Sequence, residues 1–139
     1  MTMGTIDWII GAKLTPALRQ RMRDEVMRRN LAPYTEQITG TQPLKWWWIT
    51  GTNNWNAVCQ AGITGAALAL IEDPRQRAVF IAAAEAYVRF FLGGFTADGY
   101  CSEGMGYWCY GYGHFILLTE FIHQATGGKV DLLQCEGAR

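Results

Sequence analysis

The sequence predicts an all-α fold built from antiparallel helical hairpins. Apolar residues recur at helical spacing in long segments, and these segments are bounded by residues that favour helix starts and stops. No segment shows the sustained alternation of apolar and polar residues that would indicate a strand. A chain of 139 residues can bury a usable core. We therefore expect one helical domain over residues 1–139.

The first long helix is predicted to begin at Thr15-Pro16, because Thr favours the N-cap and Pro the first helical position. From there Leu18, Met22 and Val26 recur every fourth residue, so they share one face of the helix. The arginines of this segment lie mostly off that face and are predicted to be solvated, with substrate binding as the alternative. They are Arg19, Arg23, Arg28 and Arg29.

The regions on either side of this helix carry weaker signals. Residues 5–11 are predicted to form a short helix. Residues 30–52 are predicted to be irregular, because proline and glycine recur too often for a long element. The interrupting residues are Pro33, Gly40, Pro43 and Gly51.

Two alanine-containing helices follow. The first is predicted over about 54–71 with Thr52 or Asn53 as its N-cap. The second is predicted over about 74–92, because Asp73 followed by proline repeats the pattern of cap and first helical residue. The apolar face predicted for this second helix consists of Val79, Ala83, Ala86, Phe90 and Phe91.

Paired glycines mark the remaining boundaries. Gly93-Gly94 is predicted to end the second of these helices, and a loop should then run to about residue 106. The last helix is predicted over about 107–125 and should end at Gly127-Gly128.

The helix order predicts where two polar clusters meet. Short connections make consecutive helices antiparallel, so the helices that start at Asn54 and Tyr107 should begin at the same end of the domain. Both helix N-termini would direct partial positive charge at that end. We therefore expect a mouth there that favours a carboxylate.

The overall charge and composition exclude several classes of function. Twelve basic and twelve acidic residues cancel, so no net field favours nucleic acid or an anionic membrane. No apolar run is long enough for a membrane span, and the N-terminus shows no signal peptide, which leaves the localisation open. Neither a metal site nor a cofactor is expected, since the cysteines form no CxxC pair and the only imidazoles are His114 and His123. The cysteines are predicted to be free thiols, with a Cys101–Cys109 bridge as the alternative.

The last predicted helix carries the candidate catalytic side chains. Tyr107, Tyr110 and His114 are spaced by three and four residues, so they share a face. The alternative is that the tyrosines are core aromatics and His114 is structural. Trp108 lies on another face, which we expect to be packed. Glu103 is expected to cap this helix or to accept backbone N–H groups in the preceding loop.

Three stretches of the chain resemble a known family. They are TNNWNAVC at Thr52–Cys59, ALALIED at Ala67–Asp73, and DGYCSEGMGYWCYG at Asp98–Gly111. Their order and content look like the heparinase II/III and alginate lyase group of polysaccharide lyases. The resemblance covers roughly residues 14–133 and implies part of an (α/α) toroid of helical hairpins.

The resemblance implies β-elimination on a uronate-containing polysaccharide. In the family, an asparagine at a helix start neutralises the uronate carboxylate, and this role falls on Asn54, with Asn53 or Asn56 as alternatives. A tyrosine after the EG turn moves the proton, and this role falls on Tyr107, with Tyr110 as the alternative. Residues that would assist or contact substrate are His114, Trp55, Glu103 and Trp108.

Two other functions stay open at this point. The chain could be a non-catalytic helical module that binds carbohydrate, or one that binds another protein. The run Trp46–Trp48 would stack on sugars in a lyase or carbohydrate-binding module and line an interface in a protein-binding one. Because part of a ring leaves apolar edges uncovered, we expect a homo-oligomer or the missing remainder of a larger chain as partner, besides an acidic polysaccharide or oligosaccharide.

Overall fold

A computed structural model describes residues 11–138, and this part of the chain is mostly helical. It contains no strand; an isolated bridge pairs Phe95 with Cys101. The all-α class is therefore confirmed. The short helix predicted over residues 5–11 lies almost wholly outside the described residues. The helices are α1 (Pro16–Val26), α2 (Ala32–Ile38), α3 (Asn54–Leu70), α4 (Pro74–Leu92) and α5 (Met105–Thr126).

Local capping chemistry sets the helix ends, as predicted. Thr15, Asn53 and Asp73 each accept a hydrogen bond from the main-chain N–H two or three residues further on. Gly127 ends α5 in the left-handed conformation, with φ of 59°. The start of α5 lies at Met105, two residues before the predicted start at residue 107.

The prediction that residues 30–52 are irregular is wrong for the first part of that segment. After α1 the chain makes a π-helical turn over Met27–Leu31 and continues directly into α2. Pro33 is the second residue of α2 and directly follows the π-helical turn. Burial of Tyr34 then fixes this helix against the rest of the domain.

The first helix is the least buried element. None of its residues is buried, and Leu18 on its predicted apolar face is exposed. Two of the arginines that were predicted to be solvated, Arg28 and Arg29, are exposed and both pair with Glu25. Hydrogen bonds from these two guanidinium groups lower the pKa of the Glu25 carboxyl, and the bond from Arg28 has the larger effect.

Close glycine contacts show the relative direction of α3 and α5. A Cβ on Gly111 would lie 2.9 Å from the Cβ of Asn54 near the start of both helices. A Cβ on Gly65 would lie 3.2 Å from the Phe121 ring near their ends. The two helices therefore run parallel and in close contact.

The intervening helix α4 runs in the opposite direction. A Cβ on Gly94, just after its end, would lie 1.9 Å from the main-chain oxygen of Thr52, just before α3 begins. The end of α4 thus meets the start of α3. Up–down–up packing follows, and the starts of α3 and α5 share one end of the molecule, as the helix order predicts.

Helix α3 lies between two hydrophobic clusters. One cluster joins it to α4, α5 and the C-terminal 3-10 turn Leu132–Gln134, and the other joins it to α2, α4 and the tryptophan-rich segment of residues 46–49. Of the predicted apolar face of α4, Ala83 and Phe91 are buried, whereas Val79, Ala86 and Phe90 are exposed; Phe80 and Val88 are buried instead. The sequence of α4 carries apolar residues on more than one face of the helix. The position of α3 determines which of them are buried.

Candidate functional site

The centre of the candidate site is a two-point contact between Asn54 and Glu103. The Glu103 Oε2 atom accepts from the main-chain N–H of Asn54 at 2.7 Å, and its Oε1 atom accepts from the Asn54 side-chain Nδ2 at 2.7 Å. Asn54 is only 4% exposed. Glu103 therefore joins the loop before α5 to the first turn of α3, rather than capping α5.

This contact leaves the two helix N-termini unlike each other. In α3, Glu103 accepts from the N–H of Asn54, and the Asn53 side chain accepts from the N–H of Trp55. The positive end of α3 therefore already holds a carboxylate of the protein itself. In α5 the N-cap is Gly104, which provides no side-chain acceptor. The N–H groups of the first turn of α5 are the ones left without a side-chain cap.

Tyr107 lies in that first turn of α5, close to Asn54. A Cβ on Gly111 would lie 3.1 Å from the Asn54 Cα atom. Residues four apart in a helix are about 6 Å apart, so the Cα atoms of Asn54 and Tyr107 are separated by at most about 11 Å. Tyr107 is 57% exposed, so its side chain reaches solvent at the same end of the molecule as the Asn54–Glu103 contact.

His114 lies below the surface and is tied to Tyr110. Its Nδ1 atom is 2.7 Å from the main-chain oxygen of Tyr110; because a carbonyl only accepts, Nδ1 carries the proton. The Nε2 atom is buried without a hydrogen-bond partner. The two rings meet edge to face with centroids 4.6 Å apart. Tyr110 is half exposed, so of this pair only the tyrosine is presented to solvent.

Asn56 is placed in the interior rather than at the mouth. Its side chain is fully buried, and Nδ2 contacts the main-chain oxygens of Trp48, Ile49 and Tyr87 at 2.8 to 3.1 Å. These contacts join the tryptophan-rich segment to α3 and α4. The Asn56 side chain therefore stabilises the interior and does not face the mouth. At the start of α3, only Asn53, Asn54 and Trp55 remain for the site.

The run of three tryptophans divides between two environments. Trp46 and Trp48 turn inwards, where Trp48 stacks on the buried Tyr34 with ring centroids 5.7 Å apart. Trp47 points outwards and meets the exposed Trp55 with ring centroids 6.0 Å apart and planes inclined by 61°. Trp47 and Trp55 form an exposed aromatic pair next to Asn54. Sequence reasoning treated the run as one unit and missed this pair.

Trp108 belongs to a different surface feature. Its ring stacks on Tyr112, with centroids 5.3 Å apart and planes inclined by 4°. Both rings line a cleft of about 290 Å³ together with Phe95 and Ala138. The Tyr112 hydroxyl donates to the Ala138 carbonyl at 2.6 Å, which ties the C-terminal segment to α5.

Sequence reasoning also missed the part played by Gly111. Its lack of a side chain is what allows α5 to approach the start of α3. The available signal was its position between two aromatic residues, one turn after Tyr107, where a glycine in a helix has a propensity cost that only close packing offsets.

The remaining expectations concern metal, membrane and thiol chemistry. Within residues 11–138, no group of three or more metal-type side chains comes together. In the same part of the chain no helix has the length and apolar character needed to span a membrane. The cysteines are free, so Cys101 and Cys109 form no bridge.

Comparison of the chain with protein families and with curated proteins finds no match.

Proposed function

We propose that this chain is a polysaccharide lyase-type domain that acts by β-elimination on a uronate-containing polysaccharide. One observation carries the proposal: the starts of α3 and α5 lie together, with Asn54 held by Glu103 and with Tyr107 exposed at the same end. Together with the resemblance of these same residues to the heparinase II/III and alginate lyase group, this arrangement supports helical hairpins that form part of an (α/α) toroid.

In the proposed reaction the substrate carboxylate is bound first. One amide hydrogen of Asn54 is used by Glu103, and the other remains for the uronate carboxylate. The uncapped first turn of α5 adds main-chain donors and the positive end of the helix dipole. Donors fixed in this way stabilise the negative charge that develops when the C5 proton leaves.

Tyr107 is the proposed proton-transfer group. The C5–H bond breaks and its proton goes to the tyrosine oxygen, the C4–O4 bond breaks, and a C4–C5 double bond forms. The tyrosine then gives that proton to the O4 leaving group and returns to its starting state, so the reaction needs no other reactant. An ordinary tyrosine, with a pKa of about 10, is a weak base at neutral pH, so it depends on donors that stabilise its anion. Tyr110, which contacts His114, is the alternative for this role.

The exposed Trp47–Trp55 pair is a second part of the proposed site and would contact the sugar next to the one that reacts. Flat aromatic faces next to the catalytic groups suit the apolar faces of sugar rings, so the pair would hold a neighbouring sugar of the polymer. Asn53, whose side-chain oxygen is already used as a helix cap, could donate to the same sugar through its amide nitrogen.

A non-catalytic binding module is the second candidate function. One specific observation favours it: α5 exposes several large apolar side chains and carries no charged residue before Glu120. Such a surface suits another protein surface, whether a second copy or further hairpins. The exposed residues are Met105, Tyr107, Tyr110, Ile116 and Leu117.

The test of the proposal is product formation on several uronate polymers. Alginate, heparan-type and glucuronan substrates would each be incubated with the chain while the ultraviolet absorbance of the unsaturated product is recorded. Tyr107→Phe should abolish elimination, whereas Tyr110→Phe should leave most of it, with circular dichroism as the folding control. Asn54→Ala should lower turnover and also weaken the fold, because the Glu103 carboxylate loses a donor. A folded wild-type chain that eliminates on no uronate polymer would favour the binding module.

A further inference from the structure

We propose that Glu103 is a positioning residue that sets the direction of the Asn54 amide. This inference rests on the proposed function, in which that amide binds the uronate carboxylate. Its basis is the paired contact: one oxygen of Glu103 holds the main chain of Asn54 and the other holds its side chain, each at 2.7 Å.

The main-chain bond fixes the Glu103 carboxylate at the start of α3, and the side-chain bond then orients the Asn54 amide against that fixed carboxylate. A single hydrogen bond would allow the amide to turn about its terminal torsion, which has a broad energy minimum. With main chain and side chain both attached to one carboxylate, the amide plane is fixed relative to the helix start. The second amide hydrogen and the Oδ1 atom then point in set directions, although Asn54 is almost completely buried.

The chemistry of the contact requires a carboxylate. Both groups of Asn54 that face Glu103 are donors, so the partner needs an acceptor on each of its two oxygens. Glutamine has the same shape but one acceptor and one NH2 group. In Glu103→Gln one of the two Asn54 donors would therefore face another donor. Aspartate keeps both acceptors but is one methylene shorter.

The same contact excludes one mode of substrate binding. Because Glu103 occupies the first main-chain N–H of α3, a substrate carboxylate cannot bind at that helix terminus. It can take only the remaining amide hydrogen of Asn54 and donors contributed by α5. Glu103 thus excludes the start of α3 from the carboxylate site and leaves the Asn54 amide and the first turn of α5 as its donors.

A double-mutant cycle tests this role on the full chain. Elimination would be measured for wild type, Glu103→Gln, Asn54→Ala and the double variant, at a temperature where circular dichroism shows all four to be folded. Glu103→Gln should lower kcat by about 10²-fold, the size expected when a reacting group is misplaced by about 1 Å, with a smaller change in KM. In the Asn54→Ala background the same change should have almost no effect, because no amide remains to be positioned.

Two further variants and outcomes complete the design. Glu103→Asp should lose less activity than Glu103→Gln, and it replaces the latter in the cycle if the glutamine variant fails to fold. An equal loss from the Glu103 change with and without Asn54, or no loss at all, would overturn the positioning role while the lyase function stands. A folded wild-type chain without elimination on any uronate polymer would overturn the proposed function and this role with it.

Discussion

Replacing Gly111 by alanine tests the contact that brings the candidate site together. The added methyl group would lie 2.9 Å from the Asn54 Cβ atom, 3.0 Å from the Phe91 ring and 3.1 Å from the Asn54 Cα atom. Two of these neighbours are the Cα and Cβ atoms of Asn54 in α3, so they cannot move unless the helix itself shifts. Overpacking of this kind costs about 1–3 kcal/mol.

Gly113 provides the matched control, because it lies on the same helix and a Cβ there would meet nothing within 4 Å. Both substitutions gain helix propensity, about 1 kcal/mol each. The difference between Gly111→Ala and Gly113→Ala therefore isolates the contact with α3 and should be about 1–3 kcal/mol.

The assay for this comparison is urea unfolding followed by circular dichroism. We expect Gly113→Ala to be more stable than wild type and Gly111→Ala to be less stable than Gly113→Ala by that difference, with unchanged m-values. Gly111→Ala should also lower elimination, because it displaces Asn54 from Tyr107. Equal stability of the two alanine variants would refute the close approach of α5 to the start of α3.

Three further predictions concern stability and assembly. Asn56→Ala should destabilise the fold by about twice the roughly 1 kcal/mol of an ordinary hydrogen bond, because the two amide hydrogens shared among three main-chain carbonyls are lost; urea unfolding measures this. Burial raises the pKa of Tyr34, so the stability it contributes is complete below the unfolded pKa of about 10 and is lost as the pH rises towards the folded value. Tyr34→Phe should lose about 1 kcal/mol at neutral pH with its Gln60 hydrogen bond, but should show a shallower loss in alkali; unfolding curves on either side of pH about 10 would decide. The double change Ile116→Lys and Leu117→Lys should convert self-associated chain to monomer in sedimentation, and a wild-type chain that is monomeric at high concentration would contradict this.

The helix ends could be predicted because their causes are local. Thr15, Asn53 and Asp73 cap the main-chain groups of their own helices, so neighbouring residues in the sequence carry the whole signal. The continuation through Pro33 could not be predicted, because it depends on a π-helical turn and on burial of Tyr34 by distant residues. The buried face of α4 likewise depends on where α3 lies.

The candidate site divides in the same way. The common end of α3 and α5 follows from helix order, which the sequence shows. The partner of Glu103 depends on the path of the loop before α5, and the burial of Asn56 depends on how the tryptophan-rich segment crosses α3. The residue types of Glu103 and Asn56 indicate polar roles for both side chains. Only the tertiary structure shows that Glu103 contacts Asn54, whereas Asn56 bonds to main-chain groups of the interior.

The most direct test of the proposed function is the rate of unsaturated product formation by the wild-type chain and by Tyr107→Phe, measured side by side on the same uronate polymer. We expect elimination by the wild type and none by the variant, with identical circular dichroism spectra, because the exchange removes only the hydroxyl of an exposed side chain. Equal rates for the two chains would rule out Tyr107 as the proton-transfer group, since the proton would then be moved by another group.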